Sequence, residues 1–218
     1  MLARLERAAE RAGRDPARVE LVAVTKQAGP EAILELARSG RVRHLGESRV
    51  QTAAAKRQAL APSLPAQPAM VWRMIGHLQG NKARQALETF DCVDTLDSIP
   101  LAERLQTLSA ASGRTLPVLV QVKLAERETQ AGLGPEELGE FLERARTLKS
   151  LEVRGLMAIA PNLDPVEAVR PHFRRMRELF ERFFPTEGAV LSMGMSRDFE
   201  IAIEEGANMV RVGSALFN

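Results

Sequence analysis

Short runs of apolar, β-branched residues alternate along the chain with longer stretches in which apolar positions recur every three or four residues. The first kind reads as strand buried on both faces, the second as helix with one buried stripe. The leading segment, residues 1–13, carries Leu2, Leu5, Ala8, Ala9 and Ala12 at helical spacing. Residues 21–25 (LVAVT) then form a continuous apolar run, and the same criterion predicts strands at 42–47, 70–75, 92–95, 117–122, 153–159, 189–193 and 209–212. Helices are predicted between them. One covers 30–38, with Pro30 in its first turn and Gly40 after its end. The others cover 49–60, a segment from about 81, 98–112 with Gly113 as its stop, 135–149, 165–184 and 199–205. Pro62, Pro65 and Pro68 mark a surface loop.

Alternation of this kind implies a parallel sheet. Eight such units in 218 residues imply an α/β fold closed into a (β/α)8 TIM barrel, preceded by an extra N-terminal helix. No shift of composition marks a boundary, so residues 1–218 are expected to form one domain. An open doubly wound sheet is the competing architecture, weakened because no G-x-G-x-x-G follows the first strand.

Composition narrows the partners. Aromatic residues are only 4% of the chain against 45% apolar overall, so the core must be built of Leu, Val, Ile, Ala and Met. The 30 basic and 28 acidic side chains nearly cancel, and no Lys/Arg block is interleaved with aromatics, which argues against nucleic-acid binding. A single cysteine, Cys92, excludes an intramolecular disulfide and suits a reducing compartment. No apolar run reaches the roughly 18 residues of a membrane helix. Glu6 and Glu10 make the first segment an amphipathic helix, not a secretory signal. A cytoplasmic protein is expected, and a monomer, because no heptad seam or interface stripe is visible. No His/Asp/Glu set has metal-ligand spacing, so no metal is expected.

Barrel chemistry sits at the C-terminal ends of the strands, which selects a short set of residues. Lys26 directly follows LVAVT, where an apolar floor would desolvate its amine and free it for Schiff-base formation; it also reads as a surface lysine at a strand end. Ser196 lies before a helix whose first turn is expected near Arg197, a place where free N–H groups and the helix dipole suit a phosphate; it also reads as an N-cap. Asp198 and Glu200 should then point away from the anion. Arg211 alternates with Val210 and Val212, so it faces the lumen, where it needs an anion or an acceptor; the alternative is an ion pair with a barrel carboxylate such as Glu47. Gly213 permits close backbone approach to a ligand, next to Ser214. His77 follows Gly76 at a strand end, as a site residue or as a hydrogen-bonded structural histidine. Met157 and Met193 are packing residues or line a cavity. His44 falls at the wrong end of its strand, His172 on a helix, and Cys92 and Trp72 in the barrel wall.

The stretches LVAVTK (21–26), HLGESRVQ (44–51), WRMIGHLQGNK (72–82), RGLMAIAP (154–161) and LSMGMSRDFEIAIEEGANMVRVGSALF (191–217) together resemble the pyridoxal phosphate homeostasis proteins, the YggS-like or PROSC-like family. The resemblance spans nearly the whole chain in order. It implies a barrel similar to the N-terminal domain of alanine racemase without that enzyme's second domain. It implies an internal aldimine of pyridoxal 5′-phosphate on Lys26, phosphate contacts from Ser196 and the backbone around Gly213 and Ser214, and a contact from Arg211 at the pyridine ring or the phosphate. Two departures stand out: Ser48 and Arg49 replace the family's Asn and aromatic residue, and the family's lysine after the fifth strand is replaced near Gln130.

Three functions compete: a carrier or regulator of the cofactor that serves dependent apoenzymes, a racemase or decarboxylase, and a Schiff-base aldolase without cofactor. The chain contains no tyrosine, so a racemase of the alanine type would lack its second acid–base group. The aldolase reading leaves the phosphate elements unexplained unless its substrate is a sugar phosphate.

Overall fold

The structure, a computed structural model, describes residues 1–66, 69–124 and 131–217. Eight parallel strands close in sequence order into a barrel. They are β1 (Glu20–Val24), β2 (His44–Glu47), β3 (Val71–Met74), β4 (Cys92–Leu96), β5 (Leu116–Lys123), β6 (Leu151–Ile159), β7 (Val190–Ser192) and β8 (Met209–Val212). The helices are α1 (Leu2–Arg11), α2 (Pro30–Arg38), α3 (Val50–Leu60), α4 (Ala83–Thr89), α5 (Ile99–Ala111), α6 (Leu138–Ala145), α7 (Arg170–Phe183), α8 (Phe199–Glu204) and α9 (Ser214–Phe217). The closed barrel, not the open sheet, is what the eight units build.

Two layers share each strand. Outward residues such as Ala23, Leu45, Trp72, Val93, Val120, Leu156, Leu191 and Val210 join one apolar cluster with the helix faces. Inward positions alternate with them. They include Val22, Arg73, Cys92, Asp94, Gln121, Met157, Ser192 and Arg211, all buried. Period-two alternation therefore survives in strands whose outer and inner faces are both hidden, and the inner face is where polar residues collect.

The leading helix packs on α8 through Leu5, Ala8 and Ala9. Arg4 and Arg11 each reach a carboxylate of α8, Glu200 and Glu204, at 2.8 Å. Arg14 donates to the Ile203 and Ala207 carbonyls at 2.8 and 2.7 Å. This clamp fixes the β8–β1 seam, because α1 leads into β1 and α8 into β8.

Element ends differ from the sequence reading where local signals conflict. β6 begins two residues early, at Leu151. The expected helix over 165–184 is a 3-10 turn, Val166–Val169, followed by α7. The expected helix over 135–149 is confined to Leu138–Ala145. Residues 214–217 form a short helix that the periodicity did not indicate. Pro68 and Gln130 lie outside the described residues. Among the described residues no helix is long and apolar enough to cross a membrane.

Candidate functional site at the barrel mouth

The ring closes so that β7, β8 and β1 are neighbours. Lys26, Gly213 and Ser196 follow those three strands and occupy one contiguous arc of the mouth. The Gly213 N–H points to the Ser196 hydroxyl at 3.4 Å, joining the last two loops. A Cβ on Gly213 would stand 3.1 Å from the Val24 carbonyl oxygen, two residues before Lys26. The close approach that Gly213 permits is thus to strand β1, not to the open mouth, and it draws the phosphate-side loop against the strand that carries the lysine.

Lys26 itself is exposed, in a turn whose Ala28 N–H donates to the Thr25 carbonyl at 3.1 Å. The apolar floor stops at buried Thr25 and does not enclose the amine, so the desolvation expected of Lys26 is absent.

The 193–199 segment is a built turn. Gly194 has φ +93°, and a Cβ there would meet Ala202 Cβ at 2.5 Å, so only glycine lets the chain fold down onto α8. Asp198 closes the turn by accepting from the Met195 N–H at 2.6 Å. Burial holds the Asp198 carboxyl above the usual carboxylate range, opposed by the Met195 N–H bond. Helix α8 starts at Phe199, where the 199–205 reading puts it and not near Arg197, so Ser196 is not its N-cap and does not stand on its first turn. The available donors are a hydroxyl and loop N–H groups. Glu200 points away as expected, onto Arg4.

Arg211 is 3% exposed and its partners are neutral. One terminal nitrogen donates to the Ser192 carbonyl and hydroxyl at 3.0 and 2.8 Å, the other to the Ala158 carbonyl at 2.8 Å. The alternative pairing with Glu47 is not made: Glu47 bonds to Lys56 and Thr25. Burial pushes the Arg211 guanidinium down to about 10, against the opposing pull of the Asp94 and Asp198 charges.

The remaining candidates divide. Exposed Ser214 opens α9, whose first hydrogen bonds return to the Gly213 carbonyl, so its own N–H has no backbone partner among the described residues. His77 stands on the β3 sector of the rim, with Nδ1 3.4 Å from Asp97. Met157 lies in the lumen beside Gln121 and Ser192 and has no accessible surface. Met193 is equally buried. His44 sits at the opposite end, paired with Glu20 at 3.0 Å, and His172 bonds to the Leu124 carbonyl at 2.9 Å. Arg49 is exposed just ahead of α3.

A cleft of about 940 Å³ opens at the strand-start end, lined by Arg14, Glu20, His44, Arg73, Cys92 and Asn208 among others. Size alone would favour it. Its inward groups already have partners: Arg73 binds Asp94, and His44 binds Glu20. The strand-end side of the barrel carries an amine, a hydroxyl, a helix-start N–H and, in the lumen, a guanidinium with no carboxylate bonded to it among the described residues. Sequence reasoning missed Arg73 and Asp94, although a charged residue inside VWRM or CVDTL carries the same signal as Arg211 inside VRV.

The model of the alanine racemase N-terminal domain family matches residues 1–218. A pyridoxal phosphate homeostasis protein of Aquifex aeolicus is 38% identical, covering 100% of this chain and 94% of the relative. One of Pseudomonas aeruginosa is 40% identical, over 99% of this chain and 90% of the relative. Among solved structures, PipY of Synechococcus elongatus with pyridoxal phosphate bound superposes with TM-score 0.81 at 36% identity, over 99% of this chain and all of PipY. A Clostridium difficile alanine racemase shares the fold at TM-score 0.75 and 15% identity, over 99% of this chain but 55% of the enzyme.

Proposed function

The chain belongs to the alanine racemase N-terminal domain family, with the pyridoxal phosphate homeostasis proteins as its full-length relatives, and on that premise we propose that it holds pyridoxal 5′-phosphate at the barrel mouth through Lys26, for storage, carriage or regulation of the cofactor. The observation that carries this reading is the arc Lys26–Gly213–Ser196 on three adjacent strands, closed at its lower edge by Arg211.

The residues fit such a group. When bound, the cofactor supplies an aldehyde that condenses reversibly with a primary amine, and a phosphate that needs hydrogen-bond donors. Lys26 provides the amine, free of any acidic partner among the described residues. The Ser196 hydroxyl and the Ser214 N–H provide donors two and one strands away, with the Gly213 N–H turned to the Ser196 oxygen and holding that hydroxyl in place. Arg211 lies in the lumen beneath this arc, its terminal nitrogens bonded to Ser192 and Ala158, as the cofactor contact at the pyridine ring or the phosphate. Met157 lies deeper in the lumen as apolar floor, and His77 borders the site from the β3 sector.

Turnover is not part of the proposal. A racemase needs a second acid–base group opposite the lysine. The chain has no tyrosine, and His77 turns to Asp97. An amine that binds and releases an aldehyde suits a carrier that supplies dependent apoenzymes.

The test is spectroscopic. Purified protein loaded with pyridoxal phosphate, reduced with borohydride and peptide-mapped should carry the covalent label on Lys26. Lys26→Ala should lose the visible absorbance band and the label while keeping its melting temperature. An unchanged band in Lys26→Ala refutes the assignment.

A further inference from the structure

Directly behind Lys26, on the helix side of the sheet, lies a buried ion pair that the site description does not use. Lys56, on α3, places Nζ 2.5 Å from Glu47 Oε1 and 2.5 Å from the Thr25 carbonyl oxygen. The Thr25 hydroxyl donates to the same Glu47 oxygen at 2.7 Å. Glu47 is 1% exposed and Lys56 is 15% exposed at the side chain. The second Glu47 oxygen is buried without a hydrogen-bond partner among the described residues.

This arrangement is expensive. A buried pair must offset the desolvation of both charges, and apolar residues of the same volume commonly do as well or better for stability. An unpartnered carboxylate oxygen adds to the cost. Fold stability alone is therefore a poor reason for these side chains. What they achieve is local: the Thr25 carbonyl is the acceptor that closes the 25–28 turn by taking the Ala28 N–H at 3.1 Å, and Lys56 takes hold of that same oxygen. The peptide so held is the one that enters Lys26. An exposed side chain on a turn has no packing of its own to orient it, so direction must come from the backbone.

Building on the assignment of Lys26 as the cofactor-binding amine, we propose that Lys56, held by Glu47, is a positioning residue. It fixes the Thr25–Lys26 peptide so that the Lys26 amine is directed over the β8–β1 seam toward Gly213 and Ser196. Glu47 acts by holding Lys56 and Thr25, and neither Lys56 nor Glu47 touches the ligand.

Three proteins separate this from a merely structural role: wild type, Glu47→Gln, and the double variant Lys56→Met/Glu47→Gln. Lys56→Met alone strands the Glu47 carboxylate and is the variant most exposed to misfolding; the double variant removes both charges. Glu47→Gln keeps the Lys56 bond to the Thr25 carbonyl and should bind pyridoxal phosphate within about threefold of wild type, whereas the double variant should bind at least about tenfold more weakly, the effect of one well-placed hydrogen bond. The pH profile of the visible band should shift in the double variant and not in Glu47→Gln. Equal affinities and equal profiles for the two variants overturn the proposal. Amide exchange of Ala28 in the cofactor-free proteins needs no ligand: faster exchange in the double variant than in Glu47→Gln supports the tether, and equal rates overturn it. If wild type itself takes no borohydride label on Lys26, the cofactor assignment fails, and the Ala28 exchange still decides whether Lys56 holds the turn.

Discussion

Two arginines face the lumen from opposite sectors of the barrel, and they are held differently. Arg73 on β3 forms a two-bond fork with Asp94 on β4, both bonds 2.8 Å. Arg211 on β8 is gripped only by carbonyls and a hydroxyl. Burial by itself lowers both guanidiniums. For Arg73 the Asp94 charge and hydrogen bonds override that cost and raise it above its ordinary value. Arg211 has no such partner and is driven down to about 10. A charge neutralised in place serves the wall of the barrel; one hydrogen-bonded only to neutral groups keeps more of its field for whatever enters the mouth. Both arginines are buried, so partner chemistry, not exposure, separates the paired arginine from the one proposed to serve the ligand.

Several variants can break that contrast or sharpen it. The largest effect belongs to the neutralised sector. Asp94→Ala leaves Arg73 buried without its carboxylate and should cost about 3–5 kcal/mol in urea unfolding. Replacing both partners, as in Arg73→Leu/Asp94→Leu, should recover most of that loss. On the other side Arg211→Lys keeps a charge but loses the fork. Titration with pyridoxal phosphate should show retention weakened by about 1.5–3 kcal/mol. Ser196→Ala should cost less, on the order of 1 kcal/mol, because one hydroxyl leaves the N–H donors in place. If Asp94→Ala weakened the ligand as much as Arg211→Lys at equal fold stability, the division of labour would collapse.

The barrel exterior supplies the smallest effect and a control. Glu204 accepts from Arg170 at 2.8 Å, and that bond holds its carboxyl below the usual value of 4.5. A lowered native value means that the stabilisation is complete above the unfolded value of 4.5 and drains away as pH falls through the native one. Arg170→Ala should flatten this acid limb by about 0.5–1 kcal/mol, read from melting temperature against pH, and leave cofactor retention at neutral pH untouched. Cys92 offers a check on the lumen itself: burial pushes its thiol up to about 11, so iodoacetamide at pH 8 should label it only after denaturation.

Much of this molecule is local. LVAVT, PVLVQV and VRV are strands in any context that buries them, and their alternation with helical stretches leaves a parallel closed barrel as the economical solution. The same logic placed Lys26, Ser196, Arg211 and Gly213 at the C-terminal rim, because residue order along a strand already says which end is the mouth. Helix ends were less legible: the 135–149 stretch is helical only over Leu138–Ala145, and the 165–184 stretch opens as a 3-10 turn, because the last turns of a helix are set by tertiary contacts more than by its apolar stripe.

What the order of residues determined, then, is the list of groups available at the rim. Which of those groups share an arc, and which charges are already satisfied, was decided only when β8 closed onto β1. Ring closure brings Gly213 against Val24, and through Gly213 links the Ser196 loop to the strand that carries Lys26, across well over a hundred positions of sequence. It also gives Asp94 to Arg73 and leaves Arg211 hydrogen-bonded to no carboxylate among the described residues. Hydrogen bonds and ion pairs act over a few ångströms, and no pattern along one dimension specifies neighbours at that range.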